Sequence, residues 1–167
     1  MHYSIGVEYA LHCLVHLVDP PVDQPIGIKE LAAFQGASES YLSKIFSRLA
    51  KAGIVRSTPG VKGGYELAKP PEEISFWDVV EAIEGPKPIF QCRNILDKCI
   101  LYRENGMPPS LKSAPCHINR IMLEAEQQMR DYLKEKNLMW LKQTLEQELP
   151  ENIKTASREW FRNAYDK

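Results

Sequence analysis

The chain has 167 residues, 44% of them hydrophobic and 26% charged, with a formal net charge of −1. This length supplies one core, or a small domain plus an extension, and the composition is that of a folded globular chain rather than a disordered or collagen-like one. No apolar run approaches the ~20 residues that span a bilayer and no secretory signal is present, so a cytoplasmic protein without a membrane partner is expected.

Ser4 to Val18 reads as a helix, because Val7, Leu11, Leu14 and Val18 recur at spacings of three and four. Glu8, His12 and His16 follow one another at spacing four on another face of the same segment. The proline-rich stretch Asp19 to Pro25 ends it. A short helix is expected over Ile28 to Gln35, closed by Gly36. Ser38 to Ala52 is a second amphipathic helix, with Leu42, Ile45, Phe46 and Leu49 on its apolar stripe, Ser38 as N-cap and Gly53 as stop. Two short helices around a tight glycine turn have the shape of a helix-turn-helix. Ile54 to Thr58 and Tyr65 to Ala68, joined by the glycine-rich Pro59–Gly64, then read as a β-hairpin wing.

Charge is unevenly placed along this block. Gly36 to Pro70 holds six basic residues against two acidic ones, whereas Pro71 to Gly85 holds five acidic residues and no basic one. A basic zone beside an acidic one suits a local phosphate-binding face, although surface scatter would give the same count.

Ser75 to Glu84 reads as a helix ending at Gly85. The proline-rich stretch Pro86 to Pro115 carries Cys92 and Cys99, with one helical turn expected around Ile95 to Tyr102. Ile118, Ile121, Met122, Ala125, Met129, Tyr132 and Leu133 then recur with helical period from His117 to Lys136. A small winged domain has no core to cover so much apolar surface, so an intermolecular surface is expected there. Leu138 to Leu149 makes a further helix, and Pro150 starts a polar tail with Trp160 and Phe161, at most a loose terminal helix. The fold class is mainly α with a small β-hairpin wing. Its expected parts are a winged helix-turn-helix over residues 1–85, a cysteine-bearing loop over 86–116, dimerisation helices over 117–149 and the polar tail over 150–167.

Several of these segments resemble a known family. Ser40-Tyr41-Leu42, Phe46-Ser47-Arg48-Leu49, Lys51-Ala52-Gly53-Ile54-Val55, Gly63-Gly64-Tyr65, Leu67, Pro70, Glu73-Ile74, Asp78-Val79-Val80 and Glu84-Gly85 together resemble the Rrf2 family of bacterial winged-helix transcriptional regulators, across about residues 1–145. That family includes IscR-like and NsrR-like regulators, and the Val7–Cys13 segment looks most like its RsrR branch of redox sensors. The resemblance implies a homodimer on a roughly palindromic operator in double-stranded DNA. The long helix would cross its twin, and two recognition helices would enter neighbouring major grooves.

On this reading Ser40, Tyr41, Ser43, Lys44 and Arg48 are the DNA-facing residues of the recognition helix. Lys44 would donate to guanine or phosphate, and the hydroxyls to base or phosphate. Glu39 would either accept from cytosine or stabilise the helix N-terminus, and the second role is favoured. At the wing tip Gly60, Gly63 and Gly64 permit close approach to phosphates. Lys62 would stand in for an arginine that the family often carries where this chain has Pro59. The alternative is a hairpin turn that touches no DNA.

In a reducing compartment four cysteines are thiols or metal ligands rather than structural disulfides. Cys13 lies on the apolar side of its helix and reads as a small buried residue. Six residues separate Cys92 from Cys99 and sixteen separate Cys99 from Cys116, a longer second gap than in the family's cluster binders. The resemblance implies an iron–sulfur cluster, 2Fe–2S favoured and 4Fe–4S possible. Its mixed ligand set would be Glu8 and His12 from one subunit with Cys99 and Cys116 from the other, Cys92 being spare or a third thiolate. The alternatives are an i,i+4 surface pair at Glu8 and His12, and zinc, a bare thiol switch or a docking surface at the cysteines. His16 and His117 are read as structural. No nucleophile motif supports an enzyme.

Overall fold

The computed structural model describes residues 3–60, 63–86, 88–109, 111 and 116–166. In chain order the elements are α1 (Ile5–Val18), α2 (Ile28–Gln35), α3 (Glu39–Lys51), β1 (Val55–Thr58), β2 (Gly64–Leu67), α4 (Phe76–Glu84), α5 (Ile100–Asn105), α6 (His117–Glu135), α7 (Leu138–Glu148) and α8 (Glu151–Tyr165). Short 3-10 turns, Pro71–Glu73 and Ile95–Lys98, precede α4 and α5. The contacts divide the chain into two compact units. One joins His2–Gly85 to Leu133–Lys167, and the other is Pro86–Tyr132. Among the described residues no helix is long and apolar enough to cross a membrane.

The first unit is built on α1, whose Val7, Ala10, Cys13, Leu14 and Leu17 are buried. Val7 and Leu14 of the expected stripe are buried, whereas Leu11 and Val18 lie at its half-buried margins beside the buried Ala10, Cys13 and Leu17. Glu84 on α4 takes the place of a side-chain cap on α1, because its carboxylate accepts from Ser4 N–H at 2.8 Å and Ser4 Oγ at 2.7 Å. A negative group at that end also complements the helix dipole.

Local signals place the other starts and stops as expected. Gly36, at φ 65°, ends α2 in the left-handed conformation and sends its N–H back to Ala32 and Ala33 carbonyls. Ser38 Oγ caps α3 by accepting from Tyr41 N–H. Ser75 and Asp78 form a reciprocal capping box at α4. Leu42, Ile45, Phe46 and Leu49 of α3 are buried, as their spacing requires.

β1 and β2 pair antiparallel in the register Val55–Leu67, Arg56–Glu66, Ser57–Tyr65 and Thr58–Gly64. A third strand position was not legible in the sequence: Ile26 bridges Tyr65, with N–H to O distances of 3.1 and 2.8 Å. Gly64 makes this approach possible, since a Cβ there would stand 2.6 Å from the Ile26 carbonyl carbon and oxygen. Gly64→Ala is expected to cost about 1–3 kcal/mol, the range for forced overpacking. Urea denaturation measures the loss, and amide exchange at Tyr65 should rise with it.

The polar tail of the sequence reading is instead a docked helix. Phe161 of α8 is fully buried, stacked on Phe34 of α2 at a centroid distance of 4.8 Å and set 5.1 Å from His16 of α1. Gly27 N–H, at the start of α2, donates to Tyr165 Oη at 2.7 Å. Arg158 pairs with Asp19 at 3.7 Å. α8 docks through Phe161 and Tyr165, whose partners Phe34, His16 and Gly27 lie more than a hundred residues away in sequence.

His16 lies edge-on to Phe34 at 4.8 Å in this cluster. Burial, with smaller contributions from the Lys142 and His12 charges, lowers its pKa to about 4. The unfolded chain binds this proton near pH 6.5, well before the folded chain does. Stability is therefore complete above about pH 6.5 and is lost as pH falls toward 4, by up to about 3 kcal/mol. Denaturation of the protein and of His16→Leu across this range checks it, and the variant should have lost that part of the slope.

In the second unit, Ile95, Leu96, Ile100 and Leu101 of the cysteine segment are exposed. So are Ile118, Ile121, Met122 and Leu123 of α6.

Candidate nucleic-acid interface and sensor residues

The face of α3 opposite its buried stripe is the candidate reading surface. Ser40, Lys44, Ser47 and Lys51, at spacings of four, three and four, are exposed along it, with Ser43 half-buried at its edge. Ser47 and Lys51 were absent from the expected contact set, although the same period that placed Ser40 and Lys44 would have found them. Glu39 sits in the first turn of α3, where its charge suits the helix end.

Two expected contacts are engaged within the fold. The Tyr41 ring packs edge-on against Tyr9 of α1, with centroids 5.9 Å apart, and is half-buried. Arg48 Nη1 donates to the Ile83 carbonyl oxygen at 2.7 Å, so this guanidinium ties α3 to the last turn of α4. Both residues couple α3 to its neighbours.

In the wing, Gly60 has φ 110° and its carbonyl accepts from Gly63 N–H at 2.9 Å, which closes the turn. A Cβ on Gly63 would stand 2.2 Å from the Thr58 carbonyl oxygen. These glycines are thus required by the hairpin itself, whatever they approach. Lys62 lies outside the described residues. Arg56 is committed across the hairpin to Glu66 at 2.8 Å. The exposed cations of this block are Lys44, Arg48, Lys51, Arg56 and Lys69.

The candidate sensor residues fall in both units. Glu8 and His12 are exposed one turn apart on α1, and the His12 carbonyl accepts from Gln35 Nε2 on α2 at 3.4 Å. Cys92 is exposed, with Sγ 3.6 Å from Asn94 Oδ1, while Cys99 and Cys116 are half-buried just before α5 and α6. All three are free thiols. Cys13 is fully buried and its thiol is pushed up to about 12, which leaves it inert as nucleophile or ligand. Among the described residues no three His, Cys, Asp or Glu side chains stand close enough to hold a metal ion. The donor chemistry suits a cluster.

Comparison with known proteins bears on both features. The family model Rrf2, described as an iron-dependent transcriptional regulator, matches residues 3–144. The HTH-type transcriptional regulator NsrR of Halalkalibacterium halodurans is 32% identical over 102 residues, 60% of this chain and 70% of that one. Among solved structures, Staphylococcus aureus CymR is 28% identical with a TM-score of 0.58, covering 83% of this chain and 96% of that one. IscR of T. potens, at 23% identity, shares the fold with a TM-score of 0.64, over 90% of this chain and 93% of that one.

Proposed function

The chain belongs to the Rrf2 family of DNA-binding transcriptional regulators, and from that premise we propose that it works as a homodimer whose DNA binding is governed by an iron–sulfur cluster held between subunits. The observation that carries this reading is the division of the donors. Glu8 and His12 are exposed on the unit that bears the DNA-reading helix, the cysteines lie in the other unit, and among the described residues no three such donors stand close enough to hold a metal ion. A second copy supplies the missing half.

The dimer reading draws on α6. Ile118 and Ile121, 70% and 56% exposed, head an apolar face on a helix of 19 residues, of the kind that marks an interface. The matching family model is described as an iron-dependent transcriptional regulator, which favours an iron centre here.

In the proposed arrangement Glu8 and His12 of one subunit and Cys99 and Cys116 of the other hold the cluster. A bound cluster would supply a centre that changes charge or dissociates on oxidation. The chain's own part is mechanical. α1 carries Glu8 and His12, its Tyr9 packs on Tyr41 of α3, and its N-terminus is held by Glu84 of α4. A shift of α1 is thereby passed to α3, and in a symmetric dimer that alters the separation of two recognition helices set about one DNA turn, ~34 Å, apart.

Anaerobic purification followed by iron and sulfide analysis tests this, combined with binding to an operator selected from random-sequence duplexes. The expected result is a coloured protein whose operator affinity changes about tenfold or more when the cluster is removed. Alanine at Cys99 or Cys116 should abolish both the colour and the change. A colourless, metal-free protein even after reconstitution overturns the reading. In that case an oxidant-dependent change in DNA binding would favour a thiol switch at the same free cysteines. S. aureus CymR has itself been solved in an oxidised form.

A further inference from the structure

Glu126 is the one charged residue that is buried among the described residues, at 8% exposure, and the reading and sensing roles above make no use of it. It sits on α6 beside the exposed stripe of Ile118, Ile121 and Met122 rather than on it. Its carboxylate pairs with Arg130 one turn along the helix, and it accepts from Ile89 N–H at 3.0 Å and from the neighbouring Phe90 N–H. A carboxylate is costly to bury unless donors replace its water. Here the donors come from one side chain of α6 and from two consecutive backbone groups of the arm that enters the cysteine segment. Burial pushes the carboxyl up, but these donors together hold it below the usual carboxylate range, so it stays ionised.

Its place along the chain gives the contact a consequence. Phe90 lies two residues before Cys92, and Cys116 immediately precedes α6. The segment bearing Cys92 and Cys99 thus has both ends referred to one rigid helix: by covalent continuity at Cys116, and at Glu126 about 15 Å further along.

We propose that Glu126, held by Arg130, is a positioning residue of the sensor: it pins the Ile89–Phe90 backbone to α6 and so fixes where the cysteine segment starts relative to Cys116. The inference rests on the cluster reading above for its consequence, but its geometry can be tested without any metal.

Glu126→Ala and the milder Glu126→Gln are compared with the wild type in three measurements. In the metal-free protein, amide exchange at Ile89 should rise about tenfold or more in Glu126→Ala and less in Glu126→Gln, the loss expected for hydrogen bonds to a charged acceptor. A nitroxide on Cys92, in a background with Cys99→Ser and Cys116→Ser, should become more mobile. In the loaded protein, the half-life of the cluster in air should shorten several-fold while helical content is unchanged.

Wild-type exchange and label mobility in Glu126→Ala would overturn the proposal. So would a loosened arm with an unchanged cluster half-life, since the clamp would then be structural only. If the wild-type protein takes up no cluster, the proposed function fails by itself. The positioning claim is then decided by the exchange and label data alone.

Discussion

Phe161→Ala is expected to destabilise the winged-helix unit by about 3–5 kcal/mol, the range for truncating a fully buried phenylalanine. For a chain of this size that lowers the melting temperature by roughly 10 °C. The size of the effect follows from what the ring touches. Phe34 stacks on it and His16 and Trp160 close around it, so the cavity would be lined by aromatic groups from α1, α2 and α8 that cannot collapse together without moving the helices. Trp160, 37% exposed at the edge of the same cluster, should cost much less when truncated. α2 precedes the recognition helix and is held through Phe34 and Gly27, so operator affinity should fall with stability in Phe161→Ala. Thermal melts and operator titrations measure the two effects. A loss under about 1 kcal/mol would mean that α8 does not brace the unit.

Lys44→Ala is expected to weaken operator binding by about 100-fold. Two recognition helices would act in the proposed dimer, and each lost contact is worth about 1–3 kcal/mol at a base edge. Lys44 is exposed near the middle of the stripe formed by Ser40, Ser47 and Lys51. Salt dependence separates its two possible targets. If Lys44 contacts phosphate, the slope of log K against log salt should fall by about 2 per dimer and unrelated DNA should lose affinity equally. If it reads guanine, the slope stays nearer the wild-type value and discrimination against substituted operators is lost. Arg48→Ala should act differently, through the Ile83 carbonyl, and show itself mainly as lost stability.

The parts of this fold that the sequence displayed are those fixed by near neighbours. Gly36 and the Ser38 cap mark the turn of the helix-turn-helix through groups within five residues of them. The hairpin is signalled by a glycine run between two short apolar stretches. Ile26 gave no such signal, because its partner is Tyr65 and its surroundings are prolines. The docking of the terminal helix gives no local signal for the same reason, since Phe161 acquires its meaning from Phe34 and His16.

The site divides in the same way. The outward positions of Ser40 and Lys44 follow from helical period alone. The engagement of Tyr41 and Arg48 within the fold depends on Tyr9 and Ile83, residues of other helices. Glu126 stands at a position that the period of α6 marks as neither core nor stripe, and only the return of Ile89 and Phe90 buries it. The proposed pairing of Glu8 and His12 with cysteines would be a matter of two chains, beyond the reach of any periodicity within one.

A subunit-mixing measurement tests that pairing most directly. One chain carries Glu8→Ala and His12→Ala, the other Cys99→Ala and Cys116→Ala, and the two are mixed in equal amounts under reconstitution with iron and sulfide. Each variant alone should stay colourless. After subunit exchange half the dimers are mixed, each with one complete ligand set, so about one quarter of the wild-type cluster content should return. A mixture as empty as its parents, beside a wild-type protein that loads, would place the ligands within one chain and contradict the cross-subunit site.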